Sequence, residues 1–503
     1  MEVWSWFTRN IFTDPAIFMA LMILVGLLLS RKKFYEALAG ALKGYIGYSV
    51  FSLASGGMTG TFRPILLGLK DRFNLSATIS DPYFGMGTLQ SSIMPDLGRS
   101  MSITALVMLF GFLVSILLAL LGKITKIRTL NVAGNCLNAF AMVNTCTIAL
   151  CCPSLSDTEL IIYGSIFTAL CCSVYSNLTV EAAQSVTDGA GMAVGHSQNI
   201  MDCFAHWLGE KFSIKARAKG KEIKKYEDMN LPGWLSIFDD MYVAAAIVMF
   251  IIFGIMLLAL GKDYMMTQDA TLTETTDWNM YIFKTTMKFP IYMVMLMTGL
   301  RMFVAELTVA FNAISEKILR GTLPAVDCAV FYGFVPSGTT ITAGFIIGSL
   351  TMLASTFIGV VLNLPFILIM GFIPMFFDNA TVAIFAHNKG GIKAQILCNI
   401  LTGMIDVLIG GISCYIVGYT AYGGAGMNID NSVTYWLWGL LMQNGGRVGL
   451  IIMFIILLAI PQIQYRVCKD TYWLASTDWE KYKEVHEEKV DQQVEKLKAK
   501  LAA

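Results

Sequence analysis

A glycine-rich stretch, TDGAGMAVGHSQN at residues 187–199, carries a histidine, a serine and a glutamine inside a mostly apolar chain. Glycine tolerates backbone conformations and close approaches that other residues do not, so the chain can leave helical geometry just before His196. An imidazole can donate or accept hydrogen bonds, and Ser197 adds a hydroxyl. The stretch therefore predicts one wall of a cavity for a small polar solute, with a buried structural histidine as the alternative.

Further polar side chains interrupt apolar segments elsewhere in the chain. They are Asp81, Tyr83, Asn131, Asn135, Asn138, Asn144, Gln198, Glu306, Asn312, Asp327, Asp378, Asn379 and His387. In hydrocarbon each of these groups is unfavourable unless it has a partner or faces water, which makes each a candidate for a solute site. The structural alternatives are a hydrogen bond between helices for an asparagine, an ion pair with Arg301 for Glu306, and a surface loop for His387.

Two proline-containing motifs predict where membrane helices break. Asp81-Pro82 and Pro336-Ser337-Gly338 both interrupt apolar runs. Because proline lacks an amide hydrogen, the carbonyl one turn earlier is left free to face water or a ligand. Broken helices near the middle of the membrane are how transporters form small-molecule sites. These motifs therefore favour a carrier.

Chemistry other than transport has little support in the sequence. The chain contains no GxxxxGK[ST] loop, GxSxG elbow or HExxH pair, and no Cys/His cluster with the spacing of metal ligands. Six cysteines lie within apolar runs and are predicted to be buried thiols: Cys136, Cys146, Cys151, Cys152, Cys171 and Cys172. We expect a transport component and not an enzyme, with no metal and no cofactor; a passive channel is the less favoured alternative.

The composition places these residues in a lipid bilayer. Of the 503 residues, 56% are hydrophobic and 14% are charged, and the mean hydropathy is +0.63, which leaves too little polar surface to coat a soluble protein. A net charge of +1 gives no indication of nucleic-acid binding. The clearest apolar windows are residues 15–30, 102–121, 160–174, 241–260, 281–300, 339–362, 396–416 and 448–463.

With shorter runs included, these windows predict an all-α polytopic membrane protein with about 11 transmembrane helices, some of them half-helices or re-entrant hairpins. Lysine and arginine collect at residues 31–33, 123–128 and 211–225, which predicts that these segments face the cytoplasm and the N-terminus lies outside. The chain divides into a membrane-embedded part, residues 1–466, with a basic cytoplasmic loop at about 209–230, and a charged cytoplasmic tail, residues 467–503. The tail favours a solvated helix.

A weak internal similarity predicts two repeats. TFRPILLGLKDRFNLSATISDPYF and VAFNAISEKILRGTLPAVDCAVF each contain a phenylalanine, an isoleucine three residues later, a charged patch, and then an aspartate before aromatic residues. Asp81 and Asp327 would then occupy corresponding positions in the two halves. Chance similarity is the alternative.

Several motifs together resemble the membrane IIC component of the bacterial ascorbate-type phosphotransferase system. They are TFRPI, ISDPY, TKIRT, VTDGAGMAVGH, LPGWLSIFDD, RMFVAEL, AFNAIS, VDCAVFYGFVP and GFIPMFFDNATVAIFAHNKGG, and they follow the order of the family over most of the chain. The N-terminus, the basic loop and the charged tail fall outside the resemblance.

The resemblance implies a homodimeric permease of the bacterial inner (plasma) membrane, built from two inverted repeats. Each protomer would have a core domain that carries the solute by an elevator-type movement, and a V-shaped dimerisation domain. A separate IIB protein, charged through IIA, HPr and enzyme I from phosphoenolpyruvate, would phosphorylate the solute on the cytoplasmic side. The implied partners are thus a small solute, membrane lipid, IIA, IIB and a second copy of the chain.

The resemblance also implies the residues that contact the solute. They are Pro82, Tyr83, Asn135, Asn138, Ala139, His196, Ser197 and Asp327. The family pattern has histidine at position 135 and glutamine at positions 139 and 197, so this chain lacks donors suited to an anion. The resemblance implies ascorbate, and the loss of these donors leaves a related sugar acid, pentitol or sugar as open alternatives.

A second hypothesis stays open beside this one. In an ion-coupled carrier, a buried carboxylate such as Glu306, Asp327 or Asp378 would bind a cation or a proton and link its movement to that of the solute.

Overall fold

The computed structural model is predominantly helical. It describes residues 15–72, 77–82, 85, 88–100, 102–228, 237, 240–317, 321–371 and 373–502. Up to the middle of the chain the α-helices are α1 (Pro15–Leu29), α2 (Phe34–Arg72), α3 (Met94–Asp96), α4 (Ser102–Leu120), α5 (Gly122–Thr125), α6 (Gly134–Cys151), α7 (Asp157–Leu178), α8 (Val180–Thr187) and α9 (Asn199–Ala218). They continue with α10 (Met241–Leu260), α11 (Lys262–Gln268), α12 (Trp278–Lys317), α13 (Gly338–Val361), α14 (Asn379–Met404), α15 (Gly410–Val417), α16 (Ile429–Val467), α17 (Leu474–Thr477) and α18 (Trp479–Ala502).

Several of these helices can cross a bilayer. Within the described residues, four helical segments are long and apolar enough: Asp157–Leu178, Gly338–Val361, Pro374–Val417 and Ile429–Val467. A bent pair, Ala245–Leu260 with Lys262–Gln268, makes a fifth if it is counted as one span, and Leu106–Leu120 and Cys136–Cys151 are shorter apolar helices. The protein is therefore a multi-pass membrane protein, as its composition predicts.

Large apolar side chains on the outside of these helices suit contact with lipid. Leu350, Phe357 and Val361 on α13 and Ile451 and Ile455 on α16 are all exposed. In water such continuous apolar faces would be unfavourable, whereas acyl chains solvate them. The polar groups described below are buried on the inner sides of the same helices.

Two small parallel sheets lie among the helices. Their strands are β1 (Ala77–Ser80), β2 (Thr129–Asn131), β3 (Ala193–Val194), β4 (Leu323–Val326), β5 (Ile367–Met370) and β6 (Gly424–Ala425). One sheet has the order β5-β1-β6 and the other the order β2-β4-β3. Each sheet thus takes its central strand from one half of the chain and both edge strands from the other half.

The ends of these strands bring loops from distant parts of the chain together. Asp81 directly follows the central strand of the first sheet, and Asp327 directly follows the central strand of the second. α9 begins shortly after β3, and α16 begins shortly after β6. The sheets therefore fix the positions of two helix breaks, the non-helical segments between β3 and α9 and between β6 and α16. The polar residues of these segments are positioned with them.

Helix irregularities occur where the sequence permits them. α14 and α16 each contain a Gly-Gly pair whose second residue has a positive φ, 62° at Gly391 and 53° at Gly446. π-helical turns lie at Leu89–Ile93, Pro374–Asp378 and Ile405–Ile409, and 3₁₀ helices lie at Cys328–Phe334 and Tyr419–Tyr422. In membrane helices such irregular turns are found where they are buried in protein or line a cavity.

The C-terminal tail forms the predicted helix, but that helix is packed against the membrane part and is not fully solvated. Val490 and Val494 of α18 are buried against Ile214 of α9, and an ion pair joins Arg217 to Glu487 at 2.7 Å. The basic segment predicted as a loop at about 209–230 begins within α9, which ends at Ala218. The tail therefore packs along the C-terminal part of this helix.

The predicted burial of the six cysteines in apolar runs is confirmed. All of them are buried free thiols, and the other cysteines of the chain are also unpaired.

Candidate solute-binding cavity

The loop between β3 and α9 is held tightly and directs His196 inward. The Gly195 N–H donates to the Val326 carbonyl at 2.6 Å, and the Gly195 carbonyl accepts from Asn131 Nδ2 at 2.7 Å. A Cβ at position 195 would lie 2.6 Å from the Ala325 carbonyl oxygen. Only glycine fits there, so the glycine-rich sequence permits the close approach that places His196.

A second chain segment begins at Asp81, directly after β1 of the other sheet. The Asp81 N–H donates to the Ala425 carbonyl at 2.9 Å, and the Asp81 carboxylate accepts from the Ile373 N–H at 3.0 Å. A Cβ at Gly85 would lie 2.2 Å from the Gly426 nitrogen. Asp81 and these glycines thus clamp the segment of Pro82 against the start of α16.

A cavity lies between these two segments, and its third wall is α6. It is lined by Pro82, Cys136, Ala139, Phe140, Val143, His196, Ser197, Ile373, Gly426, Asn428 and Asn431. The space between these residues is about 480 Å³, part of it open to solvent. Most of the wall is apolar, and an imidazole, a hydroxyl and two amides supply the polar groups.

The polar groups suit a neutral or weakly acidic polyhydroxyl compound. The His196 ring is buried, its Nδ1 contacts Gln198 Oε1, and the Phe377 ring stacks on it with centroids 6.1 Å apart. Because Gln198 Oε1 can only accept, Nδ1 carries a proton, and Nε2 of the neutral ring can accept from a solute hydroxyl. No lysine or arginine is among the described lining residues.

The predicted site residues fall into three groups. Pro82, Ala139, His196 and Ser197 line the cavity together. Asn138 is half-buried on α6 and is not among the lining residues. Asn135 lies in the first turn of the same helix, and Tyr83 lies outside the described residues. Solute contact by any of these residues remains a prediction.

Asp327 lies behind the cavity wall and not in it. One of its oxygens accepts from the Ala329 N–H at 3.0 Å, so Asp327 caps the 3₁₀ helix at Cys328–Phe334. The other oxygen is 3.9 Å from the sulfur of Cys136, which does line the cavity. The aspartate therefore shapes the wall through α6.

Two amide-bearing residues of the cavity wall were not predicted from the sequence. Asn428 and Asn431 stand at the start of α16, where the Asn428 N–H donates to Asn431 Oδ1 at 3.1 Å. The signal that could have revealed them is the order Gly-Ala-Gly-Met-Asn before an apolar run, which repeats the combination of glycines and polar residues that precedes α9. Both segments supply a helix N-terminus to the same cavity.

Two structural alternatives from the sequence are wrong. Glu306 forms an ion pair with Lys43 at 3.4 Å and not with Arg301. This ion pair joins α12 to α2. His387 lies within α14 and not in a surface loop. Its Nε2 is 3.0 Å from Glu227 Oε2, and the Tyr226 ring stacks on it. The segment after α9 therefore folds back over α14.

The sequence is similar to known transport proteins over most of its length. Residues 10–431 match the EIIC-GAT family, described as "PTS system sugar-specific permease component". The "Ascorbate-specific PTS system EIIC component" of Mycoplasma pneumoniae is 27% identical over 438 residues, which cover 80% of this chain and 65% of that protein. The match thus spans somewhat less than two thirds of the relative. The resemblance in the sequence motifs is confirmed at the level of the family.

Proposed function

Because the chain belongs to the EIIC-GAT family of sugar-specific permease components of the phosphotransferase system, we propose that it binds a small polyhydroxyl solute and carries it across the membrane. The observation that carries this proposal is the cavity in which His196, Ser197, Asn428 and Asn431 come together inside a multi-pass membrane protein. Transport subunits of this kind bind the solute but do not transfer the phosphoryl group themselves.

The solute class follows from the chemistry of the wall. Amides and a hydroxyl can donate hydrogen bonds to hydroxyl, carbonyl and enolate oxygens. We propose ascorbate or a related sugar acid or polyol, bound through hydrogen bonds to its hydroxyl or enol oxygens. The ascorbate specificity of the Mycoplasma relative supports this choice.

Movement of the solute is proposed to be of the elevator type, in a homodimer with two inverted repeats. The sheet topology supports the repeats, because β1, β5 and β6 in one sheet correspond by order to β4, β2 and β3 in the other. This correspondence pairs Asp81 with Asp327, as the sequence similarity predicts. A helix break in each repeat then faces the same cavity, which is the arrangement found in inverted-repeat transporters.

Coupling is proposed to come from phosphorylation. A separate IIB protein, charged by IIA, would phosphorylate the arriving solute at the cytoplasmic face of the bacterial inner membrane, with the C-terminus on that side and the N-terminus outside. The excess of lysine in and after α9 supports this orientation. The ion-coupled carrier is the alternative.

Direct binding tests the site. L-Ascorbate and a panel of sugar acids and polyols are titrated into the purified full-length protein and into His196→Ala, and the Kd is measured calorimetrically. We expect at least a tenfold weaker Kd in the variant, because a buried hydrogen bond contributes about 1.5 kcal/mol or more. His486→Ala, on the C-terminal helix, is the control and keeps the parent Kd; an equally tight His196→Ala protein contradicts the site.

Uptake tests the coupling. Proteoliposomes that enclose enzyme I, HPr and IIA are supplied with labelled solute, with and without purified IIB and phosphoenolpyruvate inside. Phosphorylated solute that accumulates only with both additions supports the permease. Uptake that needs neither, and that collapses when an uncoupler dissipates the proton gradient, supports the ion-coupled carrier instead.

A further inference from the structure

Four aspartates form a fully buried group next to the cavity. Asp202 lies on α9, Asp378 and Asp406 lie in π-helical turns, and Asp430 lies in the first turn of α16; each is 0% exposed. Asp378 interacts electrostatically with the other three. Among the described residues no lysine, arginine or histidine forms an ion pair with any of them.

Two of these carboxylates have donors that suit a negative charge. Asp430 accepts from the Asn199 N–H at 3.0 Å and the Ile200 N–H at 2.8 Å, at the N-terminus of α9. Asp378 accepts from the Ile429 N–H at 3.2 Å, at the N-terminus of α16. Free N–H groups and the helix dipole stabilise an anion at such positions. These donors favour the ionised form of Asp430 most, because it accepts three hydrogen bonds, and that of Asp378 to a lesser degree.

The other two carboxyl groups lack such donors. Neither oxygen of Asp202 has a hydrogen-bond partner among the described residues. Asp406 accepts from the Ser432 hydroxyl at 3.0 Å through one oxygen, and its other oxygen has no donor although the Asp378 carboxyl is close enough to interact. A buried, unpaired carboxylate beside two anions is unfavourable by several kcal/mol. A proton removes the charge and converts an acceptor into a donor.

The group shares its anchoring helix ends with the cavity. Asp378 Oδ1 accepts from Asn428 Nδ2 at 3.4 Å, and Asn428 lines the cavity. The Asp430 N–H donates to the carbonyl of Ser197, another lining residue, at 2.9 Å. A shift of either helix end therefore alters the solute site and the surroundings of the carboxyl groups together.

We propose that Asp202 and Asp406 each hold a proton at neutral pH, and that this proton-binding site is linked to the solute cavity through the N-termini of α9 and α16. The titratable groups that interact with Asp202 are Asp378, Asp430, Cys328 of the 3₁₀ helix and Cys203 of α9. Those that interact with Asp406 are Asp378 and Asp430. This inference goes beyond the proposed function, because transport coupled to phosphorylation requires no proton site.

Infrared spectroscopy tests whether the protons are there. A protonated carboxyl has a carbonyl-stretch band that a carboxylate lacks, so the purified full-length protein at pH 7 should show this band. Asp202→Asn and Asp406→Asn should each reduce it. Asp188→Asn is the matched control, because Asp188 is an exposed aspartate paired with Lys483, and it should leave the band unchanged.

The wild-type spectrum decides the matter even if a variant fails to fold. Absence of the band from the wild-type protein at pH 7 overturns the proposal, and so does an undiminished band in both folded cluster variants. A metal cation is the competing occupant, although no group of three or more metal-ligating side chains has suitable geometry within the described residues. A thermal stabilisation by sodium chloride over choline chloride that Asp202→Asn abolishes would favour sodium and overturn the proton site.

Calorimetry tests the link to the cavity. L-Ascorbate is titrated into the protein in two buffers with different ionisation enthalpies, and the difference in heat gives the number of protons exchanged on binding. We expect a non-zero number that falls in Asp202→Asn. Binding with no proton exchange contradicts the link, whereas the absence of any ascorbate binding counts against the proposed solute and leaves the infrared result to decide the proton site.

Discussion

Arg128 is a fully buried guanidinium with a complete set of partners. It pairs with Glu181 at 2.9 Å, donates to the Asn177 carbonyl at 3.2 Å, and lies 3.6 Å from the centroid of the Tyr472 ring. These contacts join the start of β2 to α7, α8 and the segment before the C-terminal helix. A guanidinium can satisfy all of these partners at once because its donors point in fixed directions.

We expect Arg128→Met to lower the free energy of unfolding by about 3–5 kcal/mol, because it removes a fully buried cation and leaves the Glu181 carboxylate, only 15% exposed, without it. Arg217→Met is the matched control: its ion pairs with the C-terminal helix are exposed, so its loss should cost about 1 kcal/mol or less. Denaturant unfolding in detergent measures both. Equal destabilisation by the two variants would show that the buried Arg128–Glu181 pair contributes no more to stability than the exposed ion pairs of Arg217.

At the scale of single residues, the sequence predicted part of the cavity wall. His196 and Ser197 were recognisable because polar groups follow closely spaced glycines in an apolar chain. Asn428 and Asn431 were not singled out, although their segment has the same character. Of the four buried aspartates, the sequence identified only Asp378 as a candidate. Asp202, Asp406 and Asp430 were not predicted, because their clustering depends on contacts between residues that are distant in the sequence.

At the scale of elements, the Gly-Gly pairs of α14 and α16 show how a long helix is bent without proline. Gly446 has a φ of 53° and a ψ of −128°, a conformation that disfavours L side chains. Gly445 precedes it with helical geometry, and a Cβ at either position would meet no atom within 4 Å. Conformation alone therefore distinguishes the two glycines.

We expect Gly446→Ala to destabilise the protein by roughly 1–2 kcal/mol, because alanine is strained at this φ. Gly445→Ala should be neutral or stabilising by about 1 kcal/mol or less, since alanine is the better helix former. Thermal unfolding followed by size-exclusion chromatography compares the pair. A loss of stability in both variants would mean that packing, not backbone strain, sets the effect.

The helices were more predictable than the strands. The apolar windows at residues 160–174, 396–416 and 448–463 fall within long spans of the structure, and the window at 339–362 exceeds its span by one residue. The strands contain at most four residues each, which is too short for an alternating pattern to appear. Their pairing is also distant in sequence, since Ala77 pairs with Ile367, and no local signal predicts such a partner.

At the scale of the whole molecule, the C-terminal helix packs against the C-terminal part of α9. His486 contacts Glu210, and Lys483 lies 3.1 Å from Asp188. The Trp479 indole also donates to Asp188 at 3.1 Å. The sequence predicted the helix from its composition but not its docking. The signal was present, because Tyr482, Val490 and Val494 are spaced so that they share one face.

Acid should weaken this docking. Burial raises the pKa of Glu210, but the hydrogen bond and charge of His486 outweigh it and leave that pKa below its usual 4.5. The hydrogen bonds from Trp479 and Lys483 lower the pKa of Asp188 below its usual 3.8. An acid whose pKa is lowered in the docked state stabilises that state above its free pKa, and the contribution is lost as the pH falls towards the docked value.

Docking should therefore be complete near pH 7 and weaken below about pH 4.5. Hydrogen exchange of residues 479–502, corrected for the intrinsic pH dependence of exchange, measures it against α13 as an internal reference. The double variant Glu210→Gln, Asp188→Asn is the control, because it removes both titrating groups. In this variant the C-terminal helix should exchange faster than in the wild type at pH 7, and its exchange should not increase further between pH 7 and pH 4. A wild-type helix that stays equally protected down to pH 3.5, while α13 is unchanged, would show that the apolar contacts of Val490 and Val494 alone hold the tail in place.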